Sequence, residues 1–427
     1  MITLLLVSIV IFLLIGMPIV FAISSGSLLA ILWDGELPLV LIPQKMFGGM
    51  DSWILMAIPL FMLAGQLMTT GGMSKRIINF SSELFYFVRG SLGMILVAAS
   101  MVFAGVTGSS VASTAAIGSI MLPAMKEKGY NMKFATALQA AAGAIGPVIP
   151  PSLMMILIGY LTNTSAVDLF LGGVVPGVLI GIGLMVVVYF HAAKGGDAYL
   201  PVTKRFDLKR LLKSGISALP GLGLPFIIIM GILGGIFTVT EAAVVAVVYG
   251  LIVGMLVYKE IKIKDIPDIL MESAELAAII LFIQASTSVF GWILSVKEAP
   301  EILAKFMLSN VAGQFQFFMF YIILLIMVGM CMESFSASIV LVPIVFPLAV
   351  SFGIDPVHFG VITTVGWAIG YITPPFGVTL FVACSLSNKS IREVTPYIIP
   401  ITASMLIVLI IITIFPKIVL WFPGLFT

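Results

Sequence analysis

Two stretches of this sequence place glycine, serine, threonine and proline in the middle of apolar segments. The first stretch contains GVTGSSVAST, beginning at Gly105, and AIGPVIPPS, beginning at Ala144. A break in a helix frees backbone carbonyls and amides, and serine and threonine add hydroxyl oxygens. Freed carbonyls can hold a cation, whereas the amide end of a helix attracts an anion. These residue types therefore indicate a site for ions or for a small anion inside an apolar protein.

The second stretch repeats the first at a constant distance. The AIG triplet at 368–370 lies 224 positions after the AIG triplet at 144–146, and Pro-Pro follows both triplets after three intervening residues. The same offset pairs Ser334 with Ser110. A register kept over this length predicts two copies of one structural unit.

Each unit is predicted to contain a broken helix. The Pro-Pro pair at 150–151 removes two backbone donors and disfavours helix just upstream. In a bilayer, a broken helix at membrane depth persists only when protein buries it or when it lines a cavity. Ordinary kinks and close Gly/Ser contacts between helices are the alternative interpretation. Two breaks in the same register favour a transport site.

The composition identifies the environment of the chain. Of its 427 residues, 61% are hydrophobic and 9% are charged, and the mean hydropathy is +1.22. We expect an all-α polytopic membrane protein of roughly ten hydrophobic segments. The first segment is expected at 2–30, with glycine and proline breaks at Gly16-Met17-Pro18, and a polar loop with Lys45 and Asp51 follows it. The net charge of +2 comes from short loops, so no nucleic-acid partner is expected.

The distribution of basic residues predicts the orientation. With the N-terminus in the cytoplasm, most of the 21 Lys and Arg residues fall on the cytoplasmic side, as the positive-inside rule requires. The second unit then enters the membrane from the opposite side, which makes the two units inverted repeats. Inverted repeats with broken helices that meet at the midplane are typical of secondary transporters.

The predicted organisation is that of an elevator-type transporter, in which one rigid domain moves against a scaffold. Two re-entrant hairpins and two broken helices form the moving domain, and two amphipathic arms link it to the scaffold. The predicted ranges are 1–73 for scaffold helices, 74–90 for the first arm, 91–165 for the first part of the transport domain, 166–192 for the helix that closes the first repeat, 193–297 for the basic loop, the inverting helix and further scaffold helices, 298–314 for the second arm, 315–390 for the second part of the transport domain, and 391–427 for the C-terminal helix.

The sequence contains none of the motifs of the enzyme classes considered. It has no P-loop, no HExxH motif and no catalytic triad pattern, so an enzyme or a chain that itself hydrolyses ATP is not expected. Cys331 and Cys384 stand alone in apolar segments and indicate packed thiols rather than a disulfide or a metal site.

Seven motifs spread over nearly the whole chain carry a family resemblance. They are IPLFMLAGQLMTTGG at 58–72, FAGVTGSSVASTAAIGSIMLPAMKEKGY at 103–130, AIGPVIPPS at 144–152, GGIFTVTEAAVVAVVYG at 234–250, GMCMES at 329–334, GIDPVHFG at 353–360 and ITPPFG at 372–377. With them the chain resembles the large membrane subunit of TRAP transporters, the DctM-type permeases of the ion-transporter superfamily. It is most similar to the sialic-acid branch.

The resemblance implies sodium-coupled uptake of a small acidic solute, with sialic acid (N-acetylneuraminate) as the expected substrate. It also implies two protein partners, a periplasmic substrate-binding protein and a small four-helix membrane subunit. The expected location is the bacterial inner membrane, and sodium is expected as the coupling ion with no other cofactor.

The sequence departs from the family pattern at four positions. Ser113 stands where Asp is common, Val239 where Pro is usual, and Gly366 and Ala368 where Asn and Glu are often found. The loss of two acidic groups near the site indicates an altered substrate preference rather than lost activity.

Two sodium sites are expected at corresponding places in the two units, each formed by neutral oxygen atoms. The expected ligands of the first are Gly105, Ser109, Ser110, Gly143, Gly146 and Pro150. Those of the second are Gly329, Met332, Glu333, Gly370 and Thr373.

The substrate carboxylate is expected between the two hairpin tips, where helix N-termini and hydroxyls attract an anion. The expected substrate-binding residues are Ser109, Ser110, Ser152, Ser334, Ser336 and Thr373. No Arg or Lys is expected at this depth, so recognition should be dipolar and weak enough to permit release.

Two carboxylates are interpreted differently: the role of Glu333 is left open between two alternatives, and a structural role is favoured for Glu241. Glu333 lies within a predicted hairpin core, where it either takes part in function or accepts a hydrogen bond from a serine that stabilises the turn. Glu241 follows Thr238 and Thr240, and a structural role in the first turn of a capped helix is favoured.

Three alternatives to a TRAP permease remain. A stand-alone sodium/C4-dicarboxylate symporter of related fold would need no binding protein, whereas a TRAP locus should encode both partner subunits. An ion channel would conduct without saturable exchange. A structural membrane scaffold would have no need of paired breaks in register.

Overall fold

The fold is described here from a computed structural model. It covers residues 1–427 apart from 36, 194–206, 299–312, 331, 333, 375–376 and 426–427. The described residues form helices and no β-strand, which confirms the prediction of an all-α protein. Glu333 and nearly all of the predicted second arm, 298–314, lie outside the described residues.

The first part of the chain contains ten helices that the structure describes. They are α1 (Ile2–Leu14), α2 (Ile19–Asp34), α3 (Leu41–Met50), α4 (Trp53–Thr70), α5 (Met73–Phe85), α6 (Ser91–Thr107), α7 (Ser110–Glu127), α8 (Met132–Ala144), α9 (Leu153–Thr162) and α10 (Ala166–Ala193). Helix α5 lies within the predicted first arm, and its role as an arm stays a prediction.

Nine further helices are described after the basic loop. They are α11 (Leu208–Leu233), α12 (Val239–Ile252), α13 (Ile266–Val296), α14 (Gln314–Gly329), α15 (Ser334–Ser351), α16 (Pro356–Gly370), α17 (Val378–Ser387), α18 (Ile391–Ile414) and the short α19 (Lys417–Leu420). A π-helical turn at Val253–Val257 extends α12. Helices α14 to α18 follow one another in the same order and with similar lengths as α6 to α10.

Seven of the described helices are long and apolar enough to cross a membrane. They are Trp53–Thr70, Ala166–Ala193, Leu208–Leu233, Val239–Val257, Ile263–Val296, Ser334–Ser351 and Ile391–Ile414. Further apolar segments are divided into shorter helices by glycine and proline, as predicted for the hairpins and broken helices. The hairpin and broken-helix segments supply most of these shorter pieces, among them α6, α9, α14 and α17.

The N-terminal region is broken where predicted. The segment expected at 2–30 forms two helices, α1 and α2, which pack against each other on either side of Gly16-Met17-Pro18. The chain turns at Gly16, which has φ +89°, and Pro18, which lacks an amide hydrogen, precedes α2. The predicted polar loop with Lys45 contains helix α3, which packs against α13.

The two units interlock at the centre of the protein. The second half of each broken helix packs against the hairpin of the other unit: α9 against α15, and α17 against α7. Two contacts illustrate the arrangement, since the Ser338 hydroxyl lies 3.4 Å from the Met154 sulfur and Leu386 packs beside Gly118. Helices α2, α4, α12 and α13 pack outside this centre, with α4 against α12 and α13 against both α2 and α4.

Helix α12 begins with a capping box that assigns a role to Glu241. The Thr238 hydroxyl accepts from the Glu241 amide at 3.3 Å, and the Thr238 amide donates to the Glu241 carboxylate at 2.7 Å. The carboxylate also accepts from the Thr238 hydroxyl. The predicted structural role of Glu241 is therefore confirmed, since both partners satisfy otherwise unpaired backbone groups.

Candidate functional site

The first hairpin turns within two residues. Helix α6 ends at Thr107, and Gly108 adopts the left-handed conformation (φ +59°) that reverses the chain. Ser109 then caps α7, and its hydroxyl accepts from the Ala112 amide at 3.4 Å. The Thr107 and Ser113 hydroxyls lie 2.8 Å apart and join the two helices behind the turn. A dense group of hydroxyls therefore lies at the hairpin tip.

The break between α8 and α9 is capped in the same way. The buried Ser152 hydroxyl accepts from the Met155 amide at 3.2 Å and donates to the Pro147 carbonyl. One side chain thus satisfies an amide at the start of α9 and a carbonyl of the break. These two bonds orient Ser152 within the break.

The hairpin tip and the break touch through their backbones. A Cβ on Gly146 would lie 2.9 Å from the Ser110 amide nitrogen, and a Cβ on Gly105 would lie 3.1 Å from the Pro150 carbonyl oxygen. A Cβ on Gly143 would overlap the hydroxyl of Thr114. Only glycine permits such approach. The structure therefore brings Gly105 against Pro150 and Gly146 against Ser109 and Ser110, whereas Gly143 lies against Thr114 in α7.

The second unit forms an equivalent contact with different chemistry. A Cβ on Gly370 would lie 2.9 Å from the Cα of Gly329, so the ends of α14 and α16 meet backbone to backbone. The buried Tyr371 hydroxyl donates to the Ser334 hydroxyl and accepts from the Ser334 amide at 3.1 Å. The tyrosine thus supports the start of α15.

The predicted ligands of the second sodium site lie around this contact. Thr373 is half-buried, and its hydroxyl donates to the Ile369 carbonyl at 2.7 Å, which leaves the oxygen lone pairs as acceptors. The Met332 amide donates to the Val328 carbonyl at 2.9 Å, which places Met332 just beyond the end of α14. Glu333, the remaining predicted acidic ligand, lies outside the described part of the chain.

A cavity of about 680 Å³ lies where both hairpin tips face the surrounding helices. The first unit contributes Ser109 from its tip, and the second contributes Ser336 from the first turn of α15. The remaining lining is apolar and comes from Pro18, Val20, Phe21, Met62, Val111, Ala112, Ala115, Leu276, Ile279, Ile280, Phe282, Ile283 and Phe335. The cavity is thus a largely apolar space lined by one serine from each unit.

A smaller recess of about 70 Å³ adjoins this cavity and shares Ser109 and Phe335 with it. Its polar lining comes from Thr107, Gln66 and Ser273, and the Gln66 amide also hydrogen-bonds the carboxylate of Glu272. Polar groups therefore continue from the cavity toward the first tip.

The predicted substrate-binding residues separate into two groups. Ser109 and Ser336 line the large cavity. Ser110, Ser152 and Ser334 are buried behind the tips, and the hydroxyls of Ser152 and Ser334 take part in bonds that hold the tips together. Thr373 lies in the break after α16, where its hydroxyl donates to the Ile369 carbonyl.

Sequence reasoning missed Tyr371 and Gln66. Tyr371 has no counterpart in the first unit, because the 224-residue offset pairs it with Pro147. The repeat therefore carries no signal for this tyrosine, because the two units differ at this position. Gln66 carried a usable signal, since it is an amide in the apolar segment of α4.

The comparison with protein families agrees with this geometry. A family described as "Tripartite ATP-independent periplasmic transporter, DctM component" matches residues 6–418. The chain belongs to the DctM family. It is therefore a multi-pass membrane permease rather than an enzyme, as expected.

Individual relatives support the same family. This DctM chain is 38% identical over 97% of its length to the isethionate TRAP transporter permease protein DctMQ of Oleidesulfovibrio alaskensis, of which it spans 65%. It is 35% identical to the sialic acid TRAP transporter large permease SiaM of Vibrio cholerae, with 96% of each chain covered. It is 38% identical to the C4-dicarboxylate TRAP transporter large permease DctM of Pseudomonas aeruginosa, covering 89% of this chain and 88% of the relative.

These identities do not separate the three substrate names, so the assignment to the sialic-acid branch stays a prediction. Among solved structures, the chain is similar to the YdaH transporter of Alcanivorax borkumensis. The TM-score is 0.58, and the match covers 87% of this DctM chain and 86% of YdaH at 14% identity. At this identity the likeness concerns the fold.

The close contact between Gly370 and Gly329 predicts that a larger residue at 370 lowers the stability of the protein. Gly370→Ala should lower the free energy of unfolding by about 1–3 kcal/mol, because the added methyl group overpacks a backbone contact. The measurement is the midpoint of thermal unfolding in detergent, followed by tryptophan fluorescence. Gly291→Ala is the control, since a Cβ there meets no atom within 4 Å and should not destabilise α13. Equal midpoints for the two variants would contradict the prediction.

Proposed function

We propose that this chain is the large permease of a sodium-coupled TRAP transporter that imports a small organic anion. The observation that carries the proposal is the cavity that is lined by Ser109 of one hairpin tip and by Ser336 near the other. Ser109 caps α7, and Ser336 lies in the first turn of α15, so the positive ends of two helices point toward this region. A carboxylate or sulfonate is the chemical group that such ends and hydroxyls attract.

Sialic acid is the substrate that we propose first, on the motifs described above. The names of the relatives add isethionate and C4-dicarboxylates as the other substrates to compare. All three classes carry an anionic group and would use the same two hydroxyls.

Sodium is proposed to bind at the two backbone contacts. Helices α6 and α8 end at the first contact, and α14 and α16 end at the second. Carbonyl oxygens at helix C-termini carry partial negative charge, so two converging ends favour a cation. Neutral oxygen cages of this kind suit a hard monovalent ion that must be released on the other side of the membrane.

The transport step is proposed to be an elevator movement of inverted repeats. The interlocked packing of α9 with α15 and of α17 with α7 supports a domain that moves as one body. The apolar cavity that separates the tips from α2, α4 and α13 supports sliding at that boundary. The inner membrane of a bacterium is the proposed location, with the N-terminus in the cytoplasm.

Two protein partners complete the proposal, a periplasmic substrate-binding protein and a small four-helix membrane subunit. One relative, the permease protein DctMQ, is a longer protein of which this chain spans 65%. Its name supports a second membrane component.

Reconstituted uptake tests the proposal. Labelled sialic acid, succinate and isethionate should be offered to proteoliposomes with the permease, the small subunit and the binding protein, with and without an inward sodium gradient. We expect one anion to accumulate only when all three proteins and the gradient are present. Accumulation without the binding protein would instead support a stand-alone symporter, and a current without saturable uptake would support a channel.

The two cavity hydroxyls predict a specific loss of uptake. Ser109→Ala and Ser336→Ala should each lower the initial rate about two- to tenfold, as expected for one hydrogen bond of about 0.5–1.5 kcal/mol. Ser119→Ala on the exposed side of α7 is the control, because its hydroxyl bonds only the Ala116 carbonyl of its own helix. Rates that match the control in both variants would exclude Ser109 and Ser336 from substrate binding.

Thr373 tests the second sodium site. Thr373→Val should raise the sodium concentration for half-maximal uptake about tenfold, because it removes one oxygen ligand comparable with a hydrogen bond to a charge of about 1.5–3 kcal/mol. Thr395→Val in α18 is a matched control, since the Thr395 hydroxyl also donates one turn back, to the Ile391 carbonyl at 2.8 Å. An unchanged sodium requirement in Thr373→Val would remove this residue from the site.

A further inference from the structure

A second cavity, which is polar, lies between α5 and the first turns of α11, and no residue of the hairpin tips lines it. Its volume is about 350 Å³. It is lined by Arg76, Asn79, Ser82, Glu83, Arg210, Lys213, Ser214 and Ser217. Neither the transport reaction nor the family assignment uses these side chains. The lining therefore combines three cations, four neutral polar side chains and one carboxylate.

The cations of this cavity are held in different ways. Arg76 is partly buried, with its guanidinium carbon 3.8 Å from the centre of the Tyr258 ring and its Nη1 3.4 Å from the Glu260 carboxylate. The exposed Arg210 lies 3.3 Å from the Asp207 carboxylate, a pair of little energetic weight in water. Lys213 forms no ion pair with any residue that the structure describes. Lys213 and Arg210 can therefore attract a phosphate to this cavity.

The carboxylate of Glu83 has a complementary property. Its Oε2 atom is buried and has no hydrogen-bond partner among the described residues. A buried carboxylate oxygen without a donor is costly, so the site favours a ligand that brings one. A primary ammonium group supplies N–H donors and positive charge together.

The surface beside the cavity is suited to hydrocarbon. Leu212, Ile216 and Leu219 are 57%, 71% and 63% exposed and follow one face of α11 at intervals of four and three residues. The same face continues with the exposed Phe226 and Met230. An amphiphile with its polar end in the cavity would therefore lay its apolar part along α11.

We propose that the cavity between α5 and α11 binds the headgroup of an aminophospholipid with a primary amine, of the phosphatidylethanolamine type. The phosphate lies between Arg210 and Lys213, and the ammonium group donates to Glu83. The acyl chains lie along the stripe that begins at Leu212. Because α5 lies in the predicted arm, the lipid joins this arm to a spanning helix of the scaffold.

Lipid binding to the full-length purified chain tests this proposal without any transport measurement. Native mass spectrometry and thermal unfolding in detergent should compare phosphatidylethanolamine, phosphatidylcholine and phosphatidylglycerol with identical acyl chains. We expect about tenfold preference for phosphatidylethanolamine over phosphatidylcholine, because methylation removes the N–H donors; this ratio corresponds to about 1.4 kcal/mol. Soluble phosphoethanolamine should give a much smaller shift in unfolding temperature, since it lacks the chains.

Variants assign the preference to the cavity. Glu83→Gln should abolish the preference for phosphatidylethanolamine over phosphatidylcholine, and Lys213→Gln should weaken binding of all three phospholipids. Glu275→Gln and Lys209→Gln are the controls, since both side chains lie on the surface outside the cavity and should change neither result. If Glu83→Gln fails to fold, the comparison of lipids on the unaltered chain still decides.

Three results would overturn the proposal. Equal binding of phosphatidylethanolamine and phosphatidylcholine would remove the role of the ammonium group. Strongest binding of phosphatidylglycerol, unchanged in Glu83→Gln, would assign the cavity to anionic phospholipids. An equal shift with phosphoethanolamine would assign it to a soluble phosphate compound.

Discussion

The structure depends on one constraint: backbone amides and carbonyls at a buried helix end need partners. This protein ends and restarts helices in its buried centre, at both hairpin tips and in both breaks. Ser109 and Ser152 each cap the restarting helix, and the Tyr371 hydroxyl supports the amide at the start of α15. Without these bonds, each break would leave unpaired polar groups among apolar side chains, at a cost of about 1–3 kcal/mol each.

The same breaks provide the chemistry. Glycine lets the end of one helix touch the backbone of another, as at Gly329 and Gly370 or at Gly146 and the Ser110 amide. Carbonyl ends and amide ends of helices then lie within the same small volume. Such a place favours a cation on one side and an anion on the other, although the part of the chain described around the tips supplies no ionised side chain. The proposed coupling between sodium and an anion rests on this arrangement.

The two units share their backbone plan but differ in their side chains. In the first unit, Ser152 caps α9 and bonds the Pro147 carbonyl. In the second, α17 begins after Gly377 with no side-chain cap, and the Thr379 hydroxyl donates to the Tyr371 carbonyl at 3.0 Å. The cavity therefore meets two tips with different local chemistry. An asymmetric solute can be recognised by such a pair more selectively than by two identical tips.

Much of the fold was predictable from the sequence by itself. The 224-residue register, the Pro-Pro pairs and the apolar composition were sufficient for the helix order and the helix breaks of both units, because helix breakers act locally. The ligand roles assigned to residues at these breaks stay predictions. The break at Gly16-Met17-Pro18 was predicted from the same local signals, whereas helix α3 was not predicted. The packing of α3 against α13 outweighs the polar residues of that segment.

The tertiary structure alone decided which serines face the cavity. Ser109, Ser110, Ser334 and Ser336 share one residue type and similar positions in the two units, yet only Ser109 and Ser336 line the space between the tips. It also decided the pairing of Tyr371 with Ser334 and the position of Glu83 opposite Lys213 in the second cavity. The physical reason is that a side chain's partners depend on how distant segments pack, which no spacing along one segment encodes.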